Sequence, residues 1–191
     1  MNPRSWLAAA AIAPLLLPAA GHADEVGNAI EQAARTYQAG NAAATRTLLR
    51  EAMQLLTQRT STRLGAALPP PQSGWQVTDR QPLNGDSASI SGGSQFIRRY
   101  RSAQNQSVEI SVTADSPVLS QLTLVMSNTA SADTIGKTIR VGGQSAILTS
   151  NNEIHMLVDD RVLIAITGSA PLDAKLAYAE AIDLKLIAGL R

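Results

Sequence analysis

Residues 131–146 read SADTIGKTIRVGGQSA, and Gly136-Lys137-Thr138 followed by Gly142-Gly143 has the residue types of a phosphate-binding loop. Such a loop needs Gly-x-x-x-x-Gly-Lys-Ser/Thr between a strand and the helix whose N-terminus receives the anion. Here Ser131 stands five before Gly136, and residues 138–141 have the β-branched content of a strand, so spacing and context both exclude it. His155 is the only histidine beyond His22 and the chain has no cysteine, which leaves neither a zinc set nor a cysteine nucleophile. A serine and a carboxylate brought to His155 from a distance would be the one hydrolytic arrangement still open. Asp159-Asp160 offers two carboxylates, but adjacent residues of a two-residue turn point apart, and Asp is favoured in turns for local hydrogen bonding. Ser169, two residues before Pro171, has the place of a helix-capping residue. The nucleophile-elbow, metalloprotease and calcium-loop patterns are all missing, so no catalytic residue, metal or cofactor is assigned.

The remaining cluster is Arg98, Arg99, Tyr100 and Arg101. On a strand, Arg99 and Arg101 share one face with Ile97, while Arg98 and Tyr100 share the other with Phe96. Two roles fit: a charged edge strand that discourages unwanted pairing, or a partner-binding surface for an acidic protein or an anionic headgroup.

The elements that must position these residues begin after a leader. Residues 1–23 carry Arg4, an apolar run over residues 6–17 and small residues ending at Ala23, the pattern of a secretory signal peptide cleaved after Ala23. Pro14 and Pro18 interrupt a stretch already short of the ~20 apolar residues that span a bilayer. Without a second arginine beside Arg4 or any cysteine, neither the twin-arginine route nor a lipid anchor is expected. The mature chain is expected to be soluble, periplasmic or secreted, with no transmembrane segment. Of 16 Lys and Arg only Arg4 leaves with the leader, which balances the 15 Asp and Glu. A neutral chain has no global field for nucleic acid.

Val26, Ile30, Ala33, Ala34 and Tyr37 recur at helical spacing, Gly40-Asn41 breaks the pattern, and Leu48, Leu49, Ala52, Met53, Leu55 and Leu56 resume it. Ala34, Tyr37, Gly40, Ala44, Leu48 and Ala52 together resemble one tetratricopeptide unit; a solenoid needs several, so the expectation is a helical hairpin over residues 24–67. Pro69, Pro70 and Pro71 then forbid helix and favour a stiff connector over residues 68–74. Trp75 follows, placed to plug the start of the next core.

From residue 75 onward the period changes. Strands are expected over residues 96–101, 108–113, 138–141, 145–148, 153–158 and 161–167, with turns at Gln104-Asn105, Gly142-Gly143, Asn151-Asn152 and Asp159-Asp160. Pro117 opens an expected helix carrying Val118, Leu119, Leu122, Val125 and Met126, and Pro171 opens another carrying Leu172, Leu176, Ala179 and Ile182, followed by a last turn through Leu186 and Ile187. The fold class is α+β: an N-terminal helical hairpin, then an antiparallel sheet with one or two helices on one face, residues 75–191 forming the sheet domain.

The run VGGQSAILTSNNEIHMLVDDRVLIAITGSA with the alanine-rich helix ending at Ile182 resembles the C-terminal half of small extracytoplasmic α+β domains, of the MucB/RseB type or PsbP-like. The lipid-binding N-terminal domain of those periplasmic regulators has no counterpart here, so the resemblance implies a binding or sensing module without their signalling role. The expected function is a non-enzymatic binding module of the bacterial cell envelope, its partner an envelope protein or a small ligand. The alternatives are a periplasmic hydrolase that no motif reveals and an assembly factor that forms a homo-dimer through the helical hairpin.

Overall fold

The computed structural model describes residues 24–80, 93–117, 119 and 135–190. The leader over residues 1–23 and most of the helix expected after Pro117 lie outside the described residues; Pro117 and Leu119 themselves are helical.

Two helices come first, α1 (Glu25–Gln38) and α2 (Ala42–Ala66). Gly40 turns the chain between them at φ 76°, and Asn41 Oδ1 accepts the Ala44 N–H at 3.1 Å, satisfying one of the donors a helix start leaves open. Seven antiparallel strands follow: β1 (Trp75–Arg80), β2 (Ser94–Ser102), β3 (Ser107–Ala114), β4 (Gly136–Val141), β5 (Gln144–Thr149), β6 (Ile154–Val158) and β7 (Val162–Thr167). Two short helices close the chain, α3 (Leu172–Glu180) and α4 (Leu184–Ala188). The class is α+β, as expected.

The strand order is β1-β2-β3-β7-β6-β5-β4, so two meanders meet at β3 and β7. That seam pairs Ile110 with Ile166 and Val112 with Ile164, all four fully buried. β3 and β7 alternate buried with half-buried residues along their whole length, the signature of a sheet with one covered face. The tight turns are chemically typed. Asp159 and Asp160 both have positive φ, 49° and 54°, as do Gly142 and Gly143 at 56° and 85°, the requirement of a type I′ hairpin. Asn105 and Asn152 supply the left-handed residue of the other two turns.

The core lies on the face carrying Phe96, Tyr100, Val108, Ile110, Val112, Ile154, Met156, Ile164 and Ile166. Leu64, Ala67 and Leu68, together with Tyr178, Ala179, Ile182 and Ile187, cover it. Each fully buried branched side chain contributes roughly 1.5–3 kcal/mol relative to exposure. Gly65 sits so close to Phe96 that a Cβ there would lie 2.6 Å from the ring. Ser61 Oγ donates to the Gln95 carbonyl at 2.8 Å, a further tie between α2 and β2.

The chain divides into two compact units, residues 1–52 and 53–191. The division falls inside α2 and not at the proline segment over residues 68–74, which belongs to the second unit. There Tyr100 Oη donates to the Pro69 carbonyl at 2.6 Å, the Gln72 N–H donates to Tyr178 Oη at 3.1 Å, and the Asp183 N–H donates to the Ala67 carbonyl at 3.0 Å. A proline run with both ends tied in this way is a strap on the core. Among the described residues no helix is long and apolar enough to cross a membrane.

Candidate functional site

Alternation on β2 divides the arginine cluster as its sequence implies. β2 lies between β1 and β3, so it is not an edge strand, and an edge-guarding role for its arginines does not apply. On the covered face Arg98 reaches back to β1. Its Nε and Nη2 donate to the two Asp79 carboxylate oxygens at 2.5 and 2.8 Å, Nη1 donates to the Leu68 carbonyl at 3.0 Å, and the guanidinium stands 5.4 Å from the Phe96 ring centroid. Asp79 holds Arg98 still more firmly in its charged form, against the opposing effect of burial. Every strong interaction of this side chain is internal.

Tyr100 is completely buried, 0% exposed, with its ring 4.1 Å from that of Tyr178, which meets Trp75 edge-on at 5.4 Å. Burial pushes the Tyr100 phenol well above its ordinary range, with Arg98 opposing, and burial also raises Tyr178. Trp75 therefore closes the core beside a stacked tyrosine pair, the plugging role its position suggests. Tyr100 cannot meet a partner directly.

The opposite face of β1–β3 is open. Here Arg99 Nε donates to Glu109 Oε2 at 2.8 Å, joined by Nη2 on the same oxygen, across the Arg99 to Glu109 register. Arg101, two residues on, is exposed and forms no ion pair or hydrogen bond among the described residues. Gln76, Thr78, Ile97, Arg99, Arg101 and Glu109 line an open cleft of about 350 Å³. Cross-strand register explains the set: Gln76 lies opposite Arg101, and Thr78 opposite Arg99. With Glu109 neutralising one guanidinium, Arg101 is left as the unspent positive charge among the described lining residues, flanked by an amide, a hydroxyl and an apolar floor. Such a set suits a carboxylate or another small anion, because a guanidinium presents a planar fork of donors.

Of the four candidate residues, then, Arg99 and Arg101 share the cleft, while Arg98 and Tyr100 build the core behind it. Gln76, Thr78 and Glu109 were not among the candidates. The Trp-Gln-Val-Thr alternation over residues 75–78 is the signal that could have identified β1 and its cleft-facing side chains.

The other chemically suggestive residues are structural. Gly136-Lys137-Thr138 lies in β4 and Gly142-Gly143 is a hairpin turn, which settles the phosphate-loop question against such a loop. His155 Nε2 stands 3.6 Å from Glu153, and no serine hydroxyl bonds to it among the described residues. Ser169 does not cap α3, whose N-cap is Pro171. Instead it clasps the seam: the Ser107 N–H donates to Ser169 Oγ at 3.1 Å and the Ser169 N–H donates to Ser107 Oγ at 3.3 Å. Neighbouring Gly168, at φ 117°, has no room for a Cβ, which would lie 2.2 Å from the Ser107 carbonyl. Lys175 is buried, 2% exposed, and its Nζ donates to the Asn152 carbonyl at 2.9 Å, anchoring the β5–β6 turn to α3. The described residues contain no group of three or more His, Asp or Glu placed to hold a metal ion. No family model, curated protein or solved structure matches the chain.

Proposed function

We propose that the chain is an exported, non-enzymatic binding module of the bacterial cell envelope, and that it recognises an anionic group in the β1–β3 cleft with Arg101 as the anchor. The observation that carries this reading is the contrast within one strand. Arg98 and Arg99 are both held by carboxylates, whereas Arg101 lines the cleft with its charge unspent. The signal-peptide pattern of residues 1–23 supports the compartment, and the resemblance to extracytoplasmic α+β domains supports a binding role. Calorimetric titration with glutarate tests it. Wild type should bind weakly, in the millimolar range. Arg101→Gln should weaken binding roughly fivefold, the equivalent of about 1 kcal/mol for an exposed charge-assisted pair. Equal affinity for both proteins would reject the cleft.

A second reading, an assembly factor that dimerises through the helical hairpin, draws support from apolar side chains left in solvent. Ile30 and Tyr37, seven residues apart on α1, are 48% and 74% exposed, and Leu49, Met53 and Leu56 share one face of α2. Sedimentation equilibrium decides it: a dimer that Tyr37→Glu converts to monomer would favour assembly, and a monomer at all concentrations would dismiss it.

A further inference from the structure

The cleft opens beside β1, one of the two edges of the sheet, and the two edges are built differently. β4 carries Lys137 and Arg140 among its exposed residues, the usual guard against an added strand. β1 has Gln76, Val77 and Thr78 at its centre, all β-compatible and uncharged; its two charged residues, Asp79 and Arg80, stand at its C-terminal end, and Asp79 is already held by Arg98. Val77, on the face opposite the cleft, is 40% exposed. The centre of the edge is therefore uncharged and the strand is free of proline, with the apolar surface of Val77 on one face and the guanidinium of Arg101 on the other.

We propose that β1 accepts an added strand from an extended acidic peptide, its acidic side chains on the cleft face and its apolar side chains on the face of Val77. The inference rests on the reading of the cleft as an anion site and adds the class of partner. Cross-strand rows fix the geometry. Gln76 and Arg101 lie in one row, so the peptide residue opposite Gln76 continues that row about 10 Å from the Arg101 backbone, two strand spacings away. An extended arginine and a glutamate together cover that span, passing alongside the Gln76 side chain. The alternation of a strand then places every second peptide residue beside Val77, where a β-branched side chain buries the exposed edge. Main-chain hydrogen bonds supply the affinity, and the arginine selects the charge.

The test uses the purified protein and a fluorescent, terminally blocked heptapeptide of alternating valine and glutamate, read by anisotropy. The valine–glutamate peptide should bind at least tenfold more tightly than its valine–glutamine counterpart, and Arg101→Gln should remove most of that difference. N-methylation of the peptide should weaken binding at alternate amides of one parity and not of the other, because only one edge of an added strand faces β1. Methylation without that period, or equal binding of the glutamine peptide, would overturn the added strand. Glutarate run in parallel separates the two readings: if it still binds in an Arg101-dependent way, the cleft stands and only the peptide is lost, whereas loss of both discards the cleft as well. A dimer whose hydrogen-exchange protection maps to β1 would assign the edge to a second copy and overturn the peptide.

Discussion

Replacing Tyr100 by Phe separates the structural half of the arginine cluster from its recognition half. Tyr100 is fully buried and its hydroxyl donates to the Pro69 carbonyl at 2.6 Å, so the variant leaves that carbonyl without this donor while keeping the ring stack on Tyr178. A lost buried hydrogen bond of this kind costs about 1–3 kcal/mol, or about 2–4 °C in Tm per kcal/mol for a chain of this size. The cost should depend on pH in a defined direction. In the unfolded chain Tyr100 ionises near its ordinary value of 10.0, whereas burial raises it in the folded protein. Above pH 10 the unfolded state therefore holds fewer protons than the native state, and stability falls as pH rises. Each tyrosine kept neutral loses about 1.4 kcal/mol per pH unit in that range. Wild type has two such tyrosines, Tyr100 and Tyr178, and the variant retains only Tyr178. The stability gap between wild type and variant should be constant below pH 9 and narrow by about 1.4 kcal/mol at pH 11. Urea denaturation at pH 7, 10 and 11 measures it, and titrations common to both proteins cancel in the difference. A gap unchanged at pH 11 would refute the assignment of Tyr100 as a buried neutral phenol. Glutarate affinity at pH 7 should be the same in both proteins.

Gly65→Ala should destabilise by about 1 kcal/mol, since overpacking against Phe96 outweighs the helix-propensity gain of alanine, and Phe96→Leu in the same chain should restore part of the loss in thermal melts. Asp159→Asn with Asp160→Gly should raise stability by about 1 kcal/mol, because both positions have positive φ in a type I′ turn; a lower Tm would contradict the turn assignment. Limited proteolysis should spare residues 68–72, whose backbone is tied to Tyr100, Arg98 and Tyr178; early cleavage there would show that the strap is not held.

The strands β3, β6 and β7 were legible because period-two burial writes itself into the residues: Val108, Ile110 and Val112 alternate with Glu109, Ser111 and Thr113 in sequence and in the sheet. The turns were legible because positive φ selects Asn, Asp and Gly. The pairing of β3 with β7 was not, since it joins residues about 48 to 58 apart and no local pattern encodes which strands become neighbours. The cleft depends on that same non-local information. Gln76, Arg101 and Glu109 come from three strands, and only cross-strand register brings them to one face. The fastening of the proline run was hidden for a related reason: its stiffness is visible in sequence, whereas the hydrogen bonds from Tyr100 and to Tyr178 that hold it come from residues distant along the chain. Ser169 likewise has the composition of a cap, but its partner Ser107 lies sixty-two residues away.

The most direct measurement is a map of backbone and arginine side-chain NMR shifts as glutarate is added to the purified protein. Recognition at the cleft predicts that the Arg101 guanidinium and the amides of Gln76, Thr78 and Arg101 move together along one saturation curve, that Arg98 and His155 stay still, and that the response weakens as salt rises, because screening acts over ~8 Å at physiological ionic strength. Shifts centred on His155 and Glu153, or spread evenly over exposed cations with no saturation, would contradict it.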